Sequence, residues 1–311
     1  MMPLVSVIIP TFNRAAMVAE AVASVEAQTF RDFEILVVDD GSTDATLKTL
    51  APLKGAKVLH RGSRGGVAAA RNWGAAAARG EWLAFLDSDD LWLPNKLARQ
   101  MTYLEATPGL RLCQTDETWV RHGVRVNKPV SHRKVAGRIF LPSLKRCMVS
   151  PSAVVLHRQL LADHGGFDED LPAAEDYDLW LRLTWRFEVG LVDEPLIIKR
   201  GGHPDQLSGL WGIDRFRIRA LIKLLGEADL PEPYGQAARR MLALKCAIYA
   251  QGCEKRGKYA EAQFYRDLEA RQAAFDPQTH RISRRLCSLS VDSMHFRPQP
   301  EARSSHDKML Q

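Results

Sequence analysis

Trp82-Leu83-Ala84-Phe85-Leu86-Asp87-Ser88-Asp89-Asp90 joins a short apolar strand to three carboxylates. The first five residues suit a strand buried in a sheet. The acidic residues crowd its carboxyl end, where ligands bind in open α/β sheets. Carboxylates this close repel one another unless a positive charge lies between them. Their hard oxygen atoms suit Mg²⁺ or Mn²⁺, which bind through one or two carboxylates plus substrate phosphates. The competing reading is an acidic turn leading into a helix near Pro94, because Asp caps helices and tolerates turns.

The residues before this stretch favour the ligand site. Val5-Ser6-Val7-Ile8-Ile9 is a β-branched run ended by Pro10, as in a buried parallel strand. Thr11, Phe12, Asn13 and Arg14 form a polar turn, and Met17 to Ala27 has helical spacing. A second strand, Glu34 to Val38, runs into Asp39-Asp40-Gly41. Val58 and Leu59 make a short third strand, and Gly65-Gly66 opens an Ala-rich helix ending near Gly80. Alternating strands and helices imply a parallel sheet with right-handed crossovers. Two acidic strand ends, Asp39-Asp40 and Asp87 to Asp89, then share one edge of that sheet.

Val5 to Arg14, Ile35 to Asp44, Ala70-Arg71-Asn72-Trp73-Gly74 and Phe85 to Asp90 together resemble the successive signatures of family 2 glycosyltransferases. Gly165 to Glu169, Glu175-Asp176 and Asp178 to Arg182 extend the resemblance over about two-thirds of the chain. It implies an α/β, GT-A (Rossmann-like) fold with a mixed, mainly parallel sheet flanked by helices. It also implies a nucleotide-sugar donor, UDP-linked by preference, a divalent metal (Mn²⁺ or Mg²⁺) and inversion at the anomeric carbon. By the same resemblance Asp89 holds the metal, and Asp87 reaches the ribose or a metal-bound water. Asp40 accepts from the base edge, with Asp39 as the neighbouring alternative. Pro10 and Thr11 hold the base, Arg71 lies near the nucleotide or the acidic pair, and Asn13, Gly66 and Ser88 complete the donor side. Asp176 is the expected general base, Glu175 its nearest competitor, and Asp178 a cap or support. The alternative for this second cluster is an acidic helix amino-terminus favoured by the dipole. Asp90 is expected to cap the helix that follows it. His203, in the loop Lys199-Arg200-Gly201-Gly202-His203, is a candidate third metal ligand on a lid, and Arg200 a candidate phosphate contact.

Between Trp119 and Arg146 there are eight Lys and Arg residues and no Asp or Glu. Such a wall favours an anionic acceptor or an anionic membrane surface, unless it is only a solvated hairpin. The expected acceptor is a glycan or a lipid-linked sugar. Nucleic acid is not expected, because no recognition motif or aromatic platform accompanies the charge.

The 311 residues carry a formal charge of +6 and 46% hydrophobic residues, enough for a sizeable core. No apolar run reaches membrane-spanning length and no leader is evident, so a cytoplasmic protein is expected, peripheral at most at the inner membrane face. Cys113, Cys147, Cys246, Cys253 and Cys287 lack paired or metal-ligand spacing, which suits a reducing compartment. The expected organisation is a catalytic domain over 1–212, a helical appendage over 213–275 and a disordered polar tail over 276–311. Ala247 to Ala262 resembles one tetratricopeptide-type hairpin, which cannot bury its apolar face alone and is expected to dock in cis. Two other functions compete. A non-catalytic nucleotide-sugar-binding scaffold would act through this hairpin. A nucleotidyltransferase would place a Gly-rich phosphate loop after the first strand, where Pro10-Thr11-Phe12-Asn13 stands.

Overall fold

The computed structural model describes residues 2–202, 206 and 211–273, which fall within one compact unit. The chain begins β1 (Val5–Thr11), α1 (Ala15–Glu26), β2 (Phe33–Asp39), α2 (Thr46–Leu50), β3 (Ala56–His60), α3 (Val67–Ala77) and β4 (Trp82–Phe85). It continues through β5 (Leu91–Trp92), α4 (Lys96–Glu105), β6 (Leu112–Arg121), β7 (Val124–Val126), α5 (Phe140–Lys145) and β8 (Val154–His157). Then come α6 (Gln159–His164), α7 (Glu175–Thr184), β9 (Gly190–Gly201), α8 (Ile213–Leu225), α9 (Glu232–Glu254) and α10 (Tyr259–Ala273).

One sheet runs in the order β3-β2-β1-β4-β8-β6-β9-β5, with β7 paired to β6. Its pairings point β1 to β4, β6 and β9 one way, and β5, β7 and β8 the other. The expected mixed, mainly parallel α/β sheet is therefore present. The order reverses at β1, which lies between β2 and β4. This is the switch point at which helices diverge to opposite faces and leave a crevice at the carboxyl ends.

β1 shows why the sheet is covered on both sides. Val5, Val7 and Ile9 pack with α1 and α4, whereas Ile8 joins Leu36, Val38 and Phe85 on the opposite face. Alternation of period two sends these side chains into two cores. A close approach fixes the position of α3. A Cβ on Gly74 would lie 2.5 Å from Ile8 Cγ2 and 3.0 Å from Val38 Cγ2, so only glycine lets this helix rest on β1 and β2.

The carboxyl-terminal helices share a third core with α5 and α7. Leu144, Tyr177 and Leu181 meet Phe216, Leu221, Leu242, Cys246 and Cys253 there. The hairpin of α9 and α10 thus covers its apolar side in cis. No helix among the described residues is long and apolar enough to cross a membrane. The tail from Asp276 and the loop residue His203 lie outside the described residues.

Asp90 departs from expectation. It does not cap α4, whose cap position is Asn95. The two-residue strand β5 intervenes, and Asp90 is buried beneath it, accepting from Ser152 Oγ (2.7 Å) and the Arg200 N–H (3.0 Å).

Lys96 is fully buried, with Nζ 3.8 Å from the Trp92 ring centroid and no hydrogen-bond partner among the described residues. Burial pushes its pKa down from 10.5 to about 7. Between these values the unfolded chain binds more protons than the folded one, so stability rises with pH across that window. Lys96→Met is expected to raise stability at pH 7 by about 1–3 kcal/mol. It should also flatten the rise between pH 7 and 10, both read by urea denaturation.

Candidate active site

The carboxyl ends of β1, β2 and β4 bring the expected donor-side residues to one edge. Thr11 pairs with Asp39 in register, and the Asp40 N–H donates to the Thr11 carbonyl at 2.9 Å. Thr11 Oγ1 and Asp39 Oδ1 are both buried without a hydrogen-bond partner among the described residues. The other Asp39 oxygen lies 2.8 Å from His60 Nδ1. Asp40 is held differently. Its two oxygens accept from the N–H groups of Gly65 (2.9 Å) and Gly66 (2.7 Å), and Arg61 Nε lies 3.3 Å away. Gly66, at φ +90°, thereby starts α3 beneath this carboxylate. Asn13 is occupied within the protein, because its Oδ1 accepts from the Thr43 N–H (2.8 Å) and the Asp44 N–H (3.3 Å). Pro10 lies in β1 beside Val38.

The second group hangs from β4. Asp87 and Asp89 each meet a guanidinium: Arg71 Nη2 is 2.6 Å from Asp87, and Arg14 Nη1 is 3.0 Å from Asp89. Ser88 is buried between them. Burial and the neighbouring Asp87 push the Asp89 carboxyl above its usual range, and Arg14 offsets part of this. Two carboxylates in mutual repulsion at a sheet edge are a donor set that an added cation would relieve. No group of three or more His, Cys, Asp or Glu side chains among the described residues could hold a metal. A cation here would therefore draw its remaining ligands from water or substrate, as Mg²⁺ and Mn²⁺ do.

Arg71 links this edge to α7. Its Nη1 lies 2.6 Å from Glu175, its Nη2 on Asp87, and Phe167 packs against the guanidinium at 5.1 Å. The carboxylates hold Arg71 charged despite full burial. Glu175 is pushed upward by burial and by Asp176, against the pull of Arg71. Glu175 is thus a buried ion-pair partner, whereas Asp176 beside it is half-exposed. Both Asp176 oxygens are oriented: Oδ1 accepts from the Tyr177 N–H at 2.7 Å, and Oδ2 lies 3.2 Å from Cys147 Sγ. Burial and Asp176 push the Cys147 thiol far upward, which keeps it a protonated donor. Asp178 serves as a support, taking Arg182 (2.7 Å) and Lys223 (3.2 Å).

Three residues at this site carried no sequence signal. Lys199 comes from β9, which pairs with β6 so that Lys199 stands beside Trp119. Burial opposes its charge, yet Glu117, Asp90, Asp87 and Asp176 hold the ammonium well above the usual lysine range. Glu117 in turn is drawn down to about 2 against burial, chiefly by Lys134 and Lys199. Ser152 ties the strand end together, accepting from the Asp87 N–H at 3.1 Å while donating to Asp90. Arg200 does not stand free for phosphate: it is paired with Glu20 and with the Asp89 carbonyl.

Residues 6–161 match the family model described as glycosyl transferase family 2. An uncharacterized glycosyltransferase of Rickettsia bellii is 29% identical over 254 residues, covering 73% of this chain and 36% of that protein. A UDP-Glc:α-D-GlcNAc-diphosphoundecaprenol β-1,3-glucosyltransferase of Escherichia coli is 32% identical over 182 residues, 58% of this chain and 69% of the relative. The chain spans only about a third of the length of several curated relatives it matches. Among solved structures, residues 1–349 of S. aureus TarS in complex with UDP-GlcNAc superpose with a TM-score of 0.66 at 19% identity, over 88% of this chain and 92% of that one. A mannosyltransferase from Pyrobaculum calidifontis in complex with GDP-Man and Mn²⁺ gives 0.56 at 21% identity, over 89% and 77%. These likenesses establish a shared GT-A fold.

Removing one partner of a buried ion pair strands the others. Arg71→Met is expected to lower stability by about 3–5 kcal/mol, read from urea unfolding. Arg71→Lys should recover only part of it, because a single ammonium cannot span both carboxylates as the planar fork does.

Proposed function

The chain belongs to glycosyl transferase family 2, and from that premise we propose a metal-dependent, inverting transfer of a sugar from a nucleoside diphosphate, UDP by preference, to a glycan or lipid-linked acceptor. The observation that carries this reading is the pairing of two acidic stations across one buried arginine. Asp87 stands on the donor side, Glu175 and Asp176 on the other, and Arg71 holds them in register.

On the donor side, Asp39 and Asp40 bracket the base edge, with Asp40 the first choice and the free Oδ1 of Asp39 the alternative. Thr11 contributes its unpartnered hydroxyl, and Pro10 contributes main-chain and van der Waals contact. Asn13 and Gly66 support this pocket from behind through the loops they tie. Asp89 and Asp87 are the residues that would hold Mn²⁺ or Mg²⁺, and Ser88 sits between them. Bound there, such an ion supplies Lewis-acid neutralisation of the departing diphosphate. Arg14, now on Asp89, is placed to turn toward the same phosphates.

On the acceptor side, Asp176 takes the proton of the attacking hydroxyl as general base. Its geometry supports the role. The Tyr177 amide and the Cys147 thiol orient its oxygens, and half-exposure leaves it open to an acceptor. Glu175 is less suited, since Arg71 occupies it in the interior. Inversion follows from a base and a leaving group on opposite faces of the transferred sugar. The diphosphoundecaprenol acceptor named for the E. coli relative supports a lipid-linked acceptor.

Two measurements test the assignment. Asp176→Asn is expected to lower kcat by about 10²- to 10⁴-fold while UDP affinity stays within about twofold. Equal loss of UDP affinity would move Asp176 out of the base role. In a thermal-shift screen of nucleoside diphosphates with Mn²⁺, UDP should raise Tm by binding the native state. Asp89→Ala should abolish the metal-dependent part of that rise, and an unchanged response would remove Asp89 from the metal.

A further inference from the structure

We propose that the cavity between the carboxyl end of α7 and the start of α9 is a glycan subsite, which holds neutral sugar units of the acceptor away from its reacting hydroxyl. The inference rests on the glycan-acceptor reading above and deepens it, because it makes the acceptor longer than a single sugar.

The cavity has a volume of about 620 Å³, which is within the range of small-ligand sites. Trp185, directly after α7, and Tyr234, in the first turn of α9, supply its aromatic lining. Pro231 and Pro233 extend that apolar surface. Tyr234 is set by packing against Phe140, with ring centroids 4.7 Å apart. The Arg186 guanidinium lies over the Trp185 ring, 3.8 Å from its centroid. Trp185 Nε1 is buried with no hydrogen-bond partner among the described residues, an unspent donor on one of the lining rings.

The charged groups of the lining are fixed and matched. Arg186 Nη1 lies 2.7 Å from Glu227, and its Nη2 lies 3.1 Å from Asp229. Arg138 Nε lies 3.4 Å from Glu188. Each guanidinium has its own carboxylate, so the cavity holds no spare positive charge for an anion. It still presents N–H donors and carboxylate acceptors, and the Asp229 side chain is 66% exposed. Flat apolar rings beside immobilised donors and acceptors suit a sugar, whose C–H faces are apolar and whose rim carries hydroxyls. Hydrogen bonds from those hydroxyls to charged partners are the stronger kind. Aromatic grooves also take proline-rich peptides. The paired charges, and a family that transfers sugars, favour the glycan.

Two helices tie this cavity to the expected base. Arg138 lies just before α5 and Cys147 just after it, with the Cys147 thiol 3.2 Å from Asp176 Oδ2. Asp176 is in the first turn of α7, and Trp185 follows its last residue, about 14 Å further along the axis. The Tyr177 hydroxyl joins the two helices by donating to the Leu144 carbonyl at 2.7 Å. The cavity therefore stands at the far ends of the helices whose near ends meet at Asp176. A glycan held there lies one helix length from the base.

The test uses calorimetry on the full chain, with and without UDP and excess Mn²⁺. The probes are chitotriose, laminaritriose and a proline-rich decapeptide. Wild type should bind at least one of the trisaccharides. Asp229→Ala should weaken that binding by about tenfold or more, as expected for loss of a charged hydrogen-bond acceptor. Arg186 keeps Glu227 in this variant, so its melting temperature and UDP dissociation constant should match wild type. Trp185→Ala should weaken the trisaccharide at least as much, and Asp229→Ala decides the matter should Trp185→Ala fail to fold. Failure of wild type to bind either trisaccharide, or equal binding by Asp229→Ala, overturns the subsite. Binding of the decapeptide in place of the sugars overturns it in favour of a peptide groove. Trisaccharide binding without UDP binding removes the donor reading and leaves the subsite standing. UDP binding without trisaccharide binding does the reverse.

Discussion

The buried guanidinium of Arg71 is the constraint on which the candidate site depends. It reaches Asp87 with one arm and Glu175 with the other, each at 2.6 Å. These two carboxylates come from elements separated by about ninety residues. Such a bridge forms only if α3 lies close to the sheet, which Gly74 permits by resting on Ile8 and Val38. Arg71 Nε is buried and unpartnered, so compensation of the charge falls on these two contacts and on the Phe167 face. A buried ion pair is weak evidence for net stability, but losing one member is costly. That asymmetry makes Arg71 a positioning device for the strand end and for the start of α7 together.

Charge alternates across the cleft around this bridge. Arg14 meets Asp89, Arg71 lies between Asp87 and Glu175, and Lys199 stands among Asp87, Asp90, Glu117 and Asp176. Lys134 closes the series on Glu117. In a low-dielectric crevice, dipoles and charges oriented before substrate arrives stabilise developing charge more than mobile water does. In the proposed reaction, this arrangement would give separate positions to a leaving diphosphate and to a proton acceptor.

The carboxyl-terminal helices extend the same logic to stability. Tyr177 and Leu181 of α7 face α8 and α9, and the Tyr177 hydroxyl donates to the Leu144 carbonyl at 2.7 Å. The helix that carries Glu175 and Asp176 is therefore held from both sides, by the sheet core through Leu179 and Trp180 and by the helical core through its other face. The helical hairpin braces the acidic end of α7.

Local pattern made much of this legible before any coordinates. The β-branched run at Val5, the strands ending at Asp39 and Asp87, and the glycines opening α3 each declare themselves over a few residues. Periodicity and turn chemistry act at that range. Asp90 was misread because a two-residue strand such as β5 has no periodicity, and its existence depends on the distant partner β9. Lys199 was silent for the same reason: it enters the site because β9 lies beside β6, not because of its neighbours in sequence. Local residue chemistry thus declared the succession of strands and helices near the amino terminus and the acidic stations, whereas the order of the strands in the sheet came from the fold. The union of those stations through Arg71, and the burial of Glu175 beside the half-buried Asp176, required the folded chain. Each depends on desolvation and on contacts between segments far apart in sequence, quantities that no local stretch contains.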